Sequence, residues 1–189
     1  MRAFIAIALP PQVEAHLAGL EDKLKAWPLR IRWVKPANVH LTLKFLGEVE
    51  TGRVDAVVDA MALAGGPCSP IRLSVQGLGV FPGFRNPRVL WTGVGGQTDL
   101  LAQLHRKLDS ALTGKGFKAE TRSFKAHLTL GRFKGRVSSA DLLEAVQQTG
   151  CFEALPFEAA DITLFKSDLR PQGAVYTPLH HCALGASPV

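Results

Sequence analysis

Nowhere in the 189 residues is there an uninterrupted run of about 18 uncharged apolar side chains, the length a helix needs to cross a membrane. The one apolar stretch near the start, Phe4 to Pro10, is shorter than the apolar core of a secretion signal. These absences predict a soluble, cytoplasmic protein with no membrane partner. Cysteine is scarce as well. Cys68, Cys151 and Cys182 are odd in number, far apart and without a Cys-x-x-Cys pair, which argues against a disulfide framework and a structural zinc and suits a reducing cytoplasm. Carboxylates do not cluster. Asp161 and Asp168 stand alone near strand ends, whereas hard cations want several oxygen ligands, so no metal and no cofactor are expected. No Walker-type Gly-Lys-Ser/Thr occurs, and Gly77-x-Gly79 and Gly93-x-Gly95-Gly96 lack the strand-turn-helix context of a dinucleotide site. These glycines read as turns or tight strand packing.

What is present suffices for one core. The chain is 47% apolar and 20% charged, with a mean hydropathy just above zero, which fits one compact domain or two small fused lobes. Its formal charge is +6. That excess is concentrated in one segment, where Lys115, Lys118, Arg122, Lys125, Arg132, Lys134 and Arg136 face only Glu120, so an anionic ligand is favoured.

Four helices are predicted. Val13, Leu17, Leu20, Leu24 and Trp27 recur at helical spacing behind Pro10-Pro11, giving a helix over 11–26. Thr51 is read as the cap of a second helix carrying Val54, Val57, Val58 and Met61, a third runs from Thr98 to Gly114, and a fourth follows Ser138-Ser139. Short β-rich runs lie at 4–9, 31–34, 39–46, 71–80, 89–94, 126–133, 160–165 and 174–182, with Phe81-Pro82-Gly83 and Arg170-Pro171-Gln172-Gly173 among the turns that make hairpins of them. The expected fold is α+β, with antiparallel sheets covered by helices on one face.

The strongest feature is a repeat. His40-Leu41-Thr42-Leu43 recurs unchanged as His127-Leu128-Thr129-Leu130, each inside a predicted strand and followed by a helix and a long hairpin, 71–94 or 157–182. The halves read as a fused duplication within a single two-lobed domain spanning 1–189. Alternation puts His40, Thr42 and Lys44 on one face of the strand and Leu41, Leu43 and Phe45 on the other. His and Thr then stand about 6 to 7 Å apart, close enough to grip one small group. Two such pairs brought together would line a cleft suited to phosphate. In-line hydrolysis of a phosphodiester needs a base on the entering water and an acid on the leaving oxygen, and imidazole, with a pKa of about 6.5, supplies either form near neutrality. Threonine hydroxyls can donate to the non-bridging oxygens. Phe81, Phe84 and Trp91 are candidates to stack a terminal base. His16 and His105 read as surface or boundary residues, and His180-His181 cannot both enter one site because strand neighbours point apart.

These residues resemble a known family. The paired His-x-Thr-x motifs, Arg32-Trp33-Val34-Lys35-Pro36 before the first of them, the N-terminal Arg2-Ala3-Phe4-Ile5-Ala6-Ile7, Arg88-Val89-Leu90-Trp91, Leu164-Phe165-Lys166-Ser167 and Val175-Tyr176 look like the bacterial and archaeal RNA 2′,3′-cyclic phosphodiesterases, long called 2′-5′ RNA ligases, of the two-histidine phosphoesterases. The resemblance implies a bilobal fold of two antiparallel sheets with helices outside and a central cleft. It also implies hydrolysis of a terminal 2′,3′-cyclic phosphate to a 2′-phosphate, with His40 protonating the 3′ oxygen and His127 activating water. Thr42, Thr129 and Arg132 would hold the phosphate. Alternation puts Arg132 on the wrong face, so the strand must end or bulge near Gly131. The expected partners are RNA 3′ ends or small nucleotides bearing a cyclic phosphate, met by a monomer. Alternative readings are 2′-5′ RNA ligation, cleavage of small cyclic nucleotides, and a nucleotide-binding module without turnover; intact His and Thr in both motifs argue against the last.

Overall fold

A computed structural model describes residues 1–171 and 173–186, and Gln172 of the Arg170–Gly173 turn lies outside them. The apolar stripes read from the sequence become buried helix faces. Helix α1 (Pro11–Lys25) buries Val13, Leu17, Leu20 and Leu24, α2 (Val54–Gly65) buries Val57, Ala60, Met61 and Ala64, and α3 (Thr98–Gly114) buries Leu101, Leu104, Leu108 and Leu112. Helix α4 (Ser139–Gly150) is capped by Ser138, whose hydroxyl accepts the Asp141 N–H at 3.3 Å. Thr51 does not cap α2. It opens a 3₁₀ turn, Thr51–Arg53, and that extra turn separates its hydroxyl from the first α-helical N–H groups.

Among the described residues nine strands complete the fold: β1 (Arg2–Ala8), β2 (Ile31–Trp33), β3 (His40–Glu48), β4 (Ile71–Phe81), β5 (Val89–Gly96), β6 (His127–Phe133), β7 (Leu155–Ala159), β8 (Asp161–Arg170) and β9 (Gly173–Ala183). The sequence reading merged β7 into the second hairpin. It is instead an edge strand of the other lobe, antiparallel to β4 from Ile71↔Ala159 to Val75↔Leu155, a position where Pro156 is tolerated.

The strand order is β7-β4-β5-β6-β3-β1-β8-β9, with β2 also pairing β6. Every pairing is antiparallel, as expected of the α+β class. The sheets of the two lobes meet between β6 and β3, where one residue pair, Leu41↔Leu128, joins them into a continuous nine-stranded sheet. Both leucines are buried in the core under the helices, so truncating either to Ala should cost about 2–5 kcal/mol. Beyond that rung the motif strands part company, and their other face is left open between the lobes.

Candidate active site

The single rung orders the repeated motifs. With Leu41 opposite Leu128 and both turned into the core, the residues on either side face the opposite way. Continuing the antiparallel register by one residue each way sets His40 across from Thr129 and Thr42 across from His127. The four polar side chains are half-buried on one face. In a regular ladder the two histidines would be diagonal neighbours, about 7–8 Å apart, a spacing that lets two groups flank one phosphorus.

Strict alternation then breaks in both motif strands. The β1–β3 register shifts between Ile5↔Lys44 and Ala6↔Thr42, so Leu43 is an extra residue and Lys44 and Phe45 change face, until a second shift at Leu46. Lys44, expected beside His40, is buried on the helix side and pairs with Asp109 of α3 at 2.5 Å. Phe45, expected in the core, is 60% exposed on the cleft face. The β5–β6 ladder shifts in the same place, between Leu90↔Gly131 and Trp91↔Thr129, making Leu130 the extra residue. That bulge carries Arg132 to the face of His127 and Thr129. Gly131 takes the buried side, where a Cβ would come within 2.4 Å of Ile31 Cγ2, so only glycine fits.

Both imidazoles are held the same way. His40 Nδ1 lies 2.8 Å from the Asn38 carbonyl, and His127 Nδ1 lies 2.7 Å from the Lys125 carbonyl, in each case two residues upstream. A carbonyl only accepts, so Nδ1 carries the proton and Nε2 is left to accept one when the ring is neutral. Neither Nε2 is engaged by a protein partner among the described residues. Asn38 is itself anchored, since its side-chain amide donates to the Ala174 carbonyl of β9 at 2.9 Å.

The surroundings differ. Phe4 stacks on His40 with ring centroids 4.6 Å apart, Tyr176 meets the imidazole edge-on at 5.2 Å, and Phe165 stacks behind Phe4 at 5.3 Å. Burial among these rings pushes the His40 pKa below its ordinary value; the Asn38 hydrogen bond opposes this, and the charge of His127 adds to it. Beside His127 stands the edge of Phe81 at 5.1 Å, with Trp91 at 6.4 Å. Trp91 lies flat over Gly79, where a Cβ would come 2.3 Å from the indole. Gly79 is the cross-strand partner of Trp91, so the indole packs within the β4–β5 hairpin and beside His127, while Phe84 packs against the core. Burial holds the Tyr176 pKa above its ordinary value, against the opposing charges of Arg132 and Arg2.

The basic segment is not one patch. Lys115 pairs with Asp59 of α2 at 3.1 Å and Arg122 with Glu120 at 3.4 Å, while Arg132 shares β6 with the second motif and Lys125 lies over the Phe81 ring beside His127. His105 is buried against Phe124 with centroids 4.3 Å apart, contrary to its surface reading, because α3 packs under the segment entering β6. His181 binds the buried Thr163 hydroxyl through Nδ1 at 2.9 Å. Among the described residues no three His, Cys, Asp or Glu side chains converge as metal ligands would, all three cysteines are free, and no helix is long and apolar enough to cross a membrane.

Two consecutive segments, residues 7–91 and 94–176, match the family described as LigT like Phosphoesterase, one motif in each. The chain belongs to that family. It is 32% identical to an RNA 2′,3′-cyclic phosphodiesterase of Methanothermobacter thermautotrophicus over 179 residues, 95% of this chain and 96% of the relative. A solved structure from Thermus thermophilus superposes with a TM-score of 0.80 at 26% identity, covering 98% of both chains. E. coli LigT in complex with 3′-AMP superposes with a TM-score of 0.74 at 28% identity, covering 97% of each.

Proposed function

We propose that this LigT-like chain hydrolyses the 2′,3′-cyclic phosphate at an RNA 3′ end to a 2′-phosphomonoester, without a metal ion. The relatives that carry this activity in their names support the substrate, and the nucleotide bound by E. coli LigT supports a nucleotide cleft. One observation carries the mechanism: two imidazoles on one open face, each with Nδ1 tied to a carbonyl and Nε2 unengaged. In the proposed step, His127 Nε2 takes a proton from water as its oxygen attacks phosphorus. The imidazolium of His40 gives its Nε2 proton to the 3′ oxygen as the P–O3′ bond breaks. Thr42 and Thr129 donate to the non-bridging oxygens, and Arg132 balances the charge that develops on them. We further read the chain as a fused duplicate acting as a cytoplasmic monomer. The inward symmetry of the strand order about β6 and β3, with equivalent bulges in both motif strands, supports the duplication.

The test is product analysis. Incubated with EDTA and an oligoribonucleotide ending in 2′,3′-cyclic phosphate, the protein should yield the 2′-phosphate alone. A 3′-phosphate product would reverse the leaving group. Activity abolished by EDTA and restored by magnesium or zinc would overturn the metal-free mechanism.

A further inference from the structure

Short strand β2 pairs with β6 where β3 has already diverged, in the register Ile31↔Phe133, Arg32↔Arg132, Trp33↔Gly131. Directly opposed residues of an antiparallel pair point to the same face, with Cα atoms about 5 Å apart. That face is the open one. Ile31 and Trp33 pack against the core on the side where a Gly131 Cβ would point, and Arg32 and Arg132 are both exposed on the other. Like charges directly opposed destabilise a sheet, and among the described residues neither guanidinium has a carboxylate within ion-pair distance. Two uncompensated guanidiniums on one face at one end of the motif strand form a site for more negative charge than one phosphate brings.

We infer that Arg32, beside Arg132, binds a second phosphate of the substrate, the phosphodiester on the 5′ side of the terminal nucleotide, so that the cleft selects a polynucleotide end over a free cyclic mononucleotide. The inference rests on the proposed function for the first phosphate, which occupies the His and Thr quartet. Arg132 lies between the two. It shares a strand with His127 and Thr129 and is paired with Arg32 across the ladder, and its charge reaches Tyr176 beside His40. Arg32 stands on the neighbouring strand β2, off the strands that carry the quartet.

The experiment uses two ligands that are not turned over, 2′-AMP and adenosine 2′,5′-bisphosphate, whose 5′ phosphate stands for the next phosphodiester. By calorimetry at low salt the wild type should bind the bisphosphate more tightly. In R32Q the ratio of the two affinities should fall about tenfold, and in the wild type it should shrink with added salt. R32Q should unfold at or above the wild-type temperature, since it relieves a like-charge pair. An unchanged ratio in R32Q, or a ratio that falls only in R132Q, would overturn the subsite. Because binding is read without turnover, failure to hydrolyse a cyclic phosphate would count against the proposed reaction and not against this subsite.

Discussion

Replacing Lys44 separates two arrangements that simple alternation and the bulged strand predict differently. On an unbroken strand Lys44 would share the face of His40 and Thr42 and would contact phosphate. With Leu43 inserted it is 5% exposed on the helix side and salt-bridged to Asp109, whose side chain keeps 21% exposure. Burial pushes the Asp109 pKa up, but the bonds from Lys44 and from the Glu120 N–H outweigh it and hold the carboxyl below its ordinary value. Lys44→Met leaves that carboxylate with one backbone donor. Breaking a buried pair in this way costs about 3–5 kcal/mol, and the open fifth of Asp109 argues for the lower end, about 3 kcal/mol. For a chain of this size that is a fall in Tm of about 6–12 °C. The double variant Lys44→Met with Asp109→Leu removes both charges and should recover most of the loss, though not the acceptor for Glu120 N–H. The sign with pH follows from Asp109: its folded pKa is depressed, so its contribution is present above the unfolded value of about 3.9 and lost as pH falls through the folded value. Thermal melts and steady-state kinetics decide. A Lys44→Met protein that melts like the wild type but shows a raised KM would refute the bulge as described.

The remaining predictions concern the histidines. His40→Ala and His127→Ala should each lose about 10²–10⁴ in rate and still fold, because both rings line the open face. His40→Ala should be partly rescued by a nitrophenyl phosphodiester, whose leaving group needs no proton, whereas rescue confined to His127→Ala would reverse the proposed acid and base. In the free protein the His40 Cε1–H resonance should titrate below about 6.5, and its midpoint should rise when 2′-AMP is bound. The stability that His40 contributes is therefore present above about pH 6.5 and lost as pH falls through its lowered value, so a His40→Asn protein should lose less stability than the wild type between pH 7 and pH 5. A His40 midpoint at or above 6.5 in the free protein would contradict the burial argument.

Those parts of the fold governed by local periodicity were legible in the sequence, and those governed by partners far along the chain were not. The helix from Pro11 and the one from Thr98 to Gly114 follow from four apolar residues on one stripe, which needs no knowledge of the rest. Strand β7 was missed because five residues containing a proline carry little signal, and their pairing with β4 is set some 80 residues upstream. The quartet was readable because a repeat with two-residue spacing states a shared face directly. The bulges were half-readable. Gly131 marks one, and the position of Arg132 demanded it, but Leu43-Lys44-Phe45 looks like ordinary alternation, and only the register with β1 shows that Phe45 emerges and Lys44 turns inward. The carbonyls that fix the imidazoles belong to Asn38 and Lys125, two unrelated side chains, so no sequence pattern could name them.

The proposed mechanism poses a particular chemical problem, because acid and base must be unlike while the two motifs that would supply them are the same. Here the motif and its tautomer lock are identical, and the asymmetry comes from the side chains that neighbouring strands place around each ring. Phe4 of β1, Phe165 of β8 and Tyr176 of β9 enclose His40, while His127 has the edge of Phe81 and the more distant Trp91. Desolvation makes the His40 imidazolium costly in an empty cleft. An anionic phosphate set against its Nε2 would remove that cost, so the proton would arrive with the substrate. A proton held only while the phosphate is bound is released readily to the 3′ oxygen as the P–O bond breaks, which suits the proposed acid. The same argument explains why an arginine and a phenylalanine, Arg132 and Phe45, can occupy corresponding bulged positions in the two motif strands. On the His127 side the position carries the charge proposed to meet the phosphate, and on the His40 side it extends the apolar surround, with Phe45 lying 5.9 Å from Phe4.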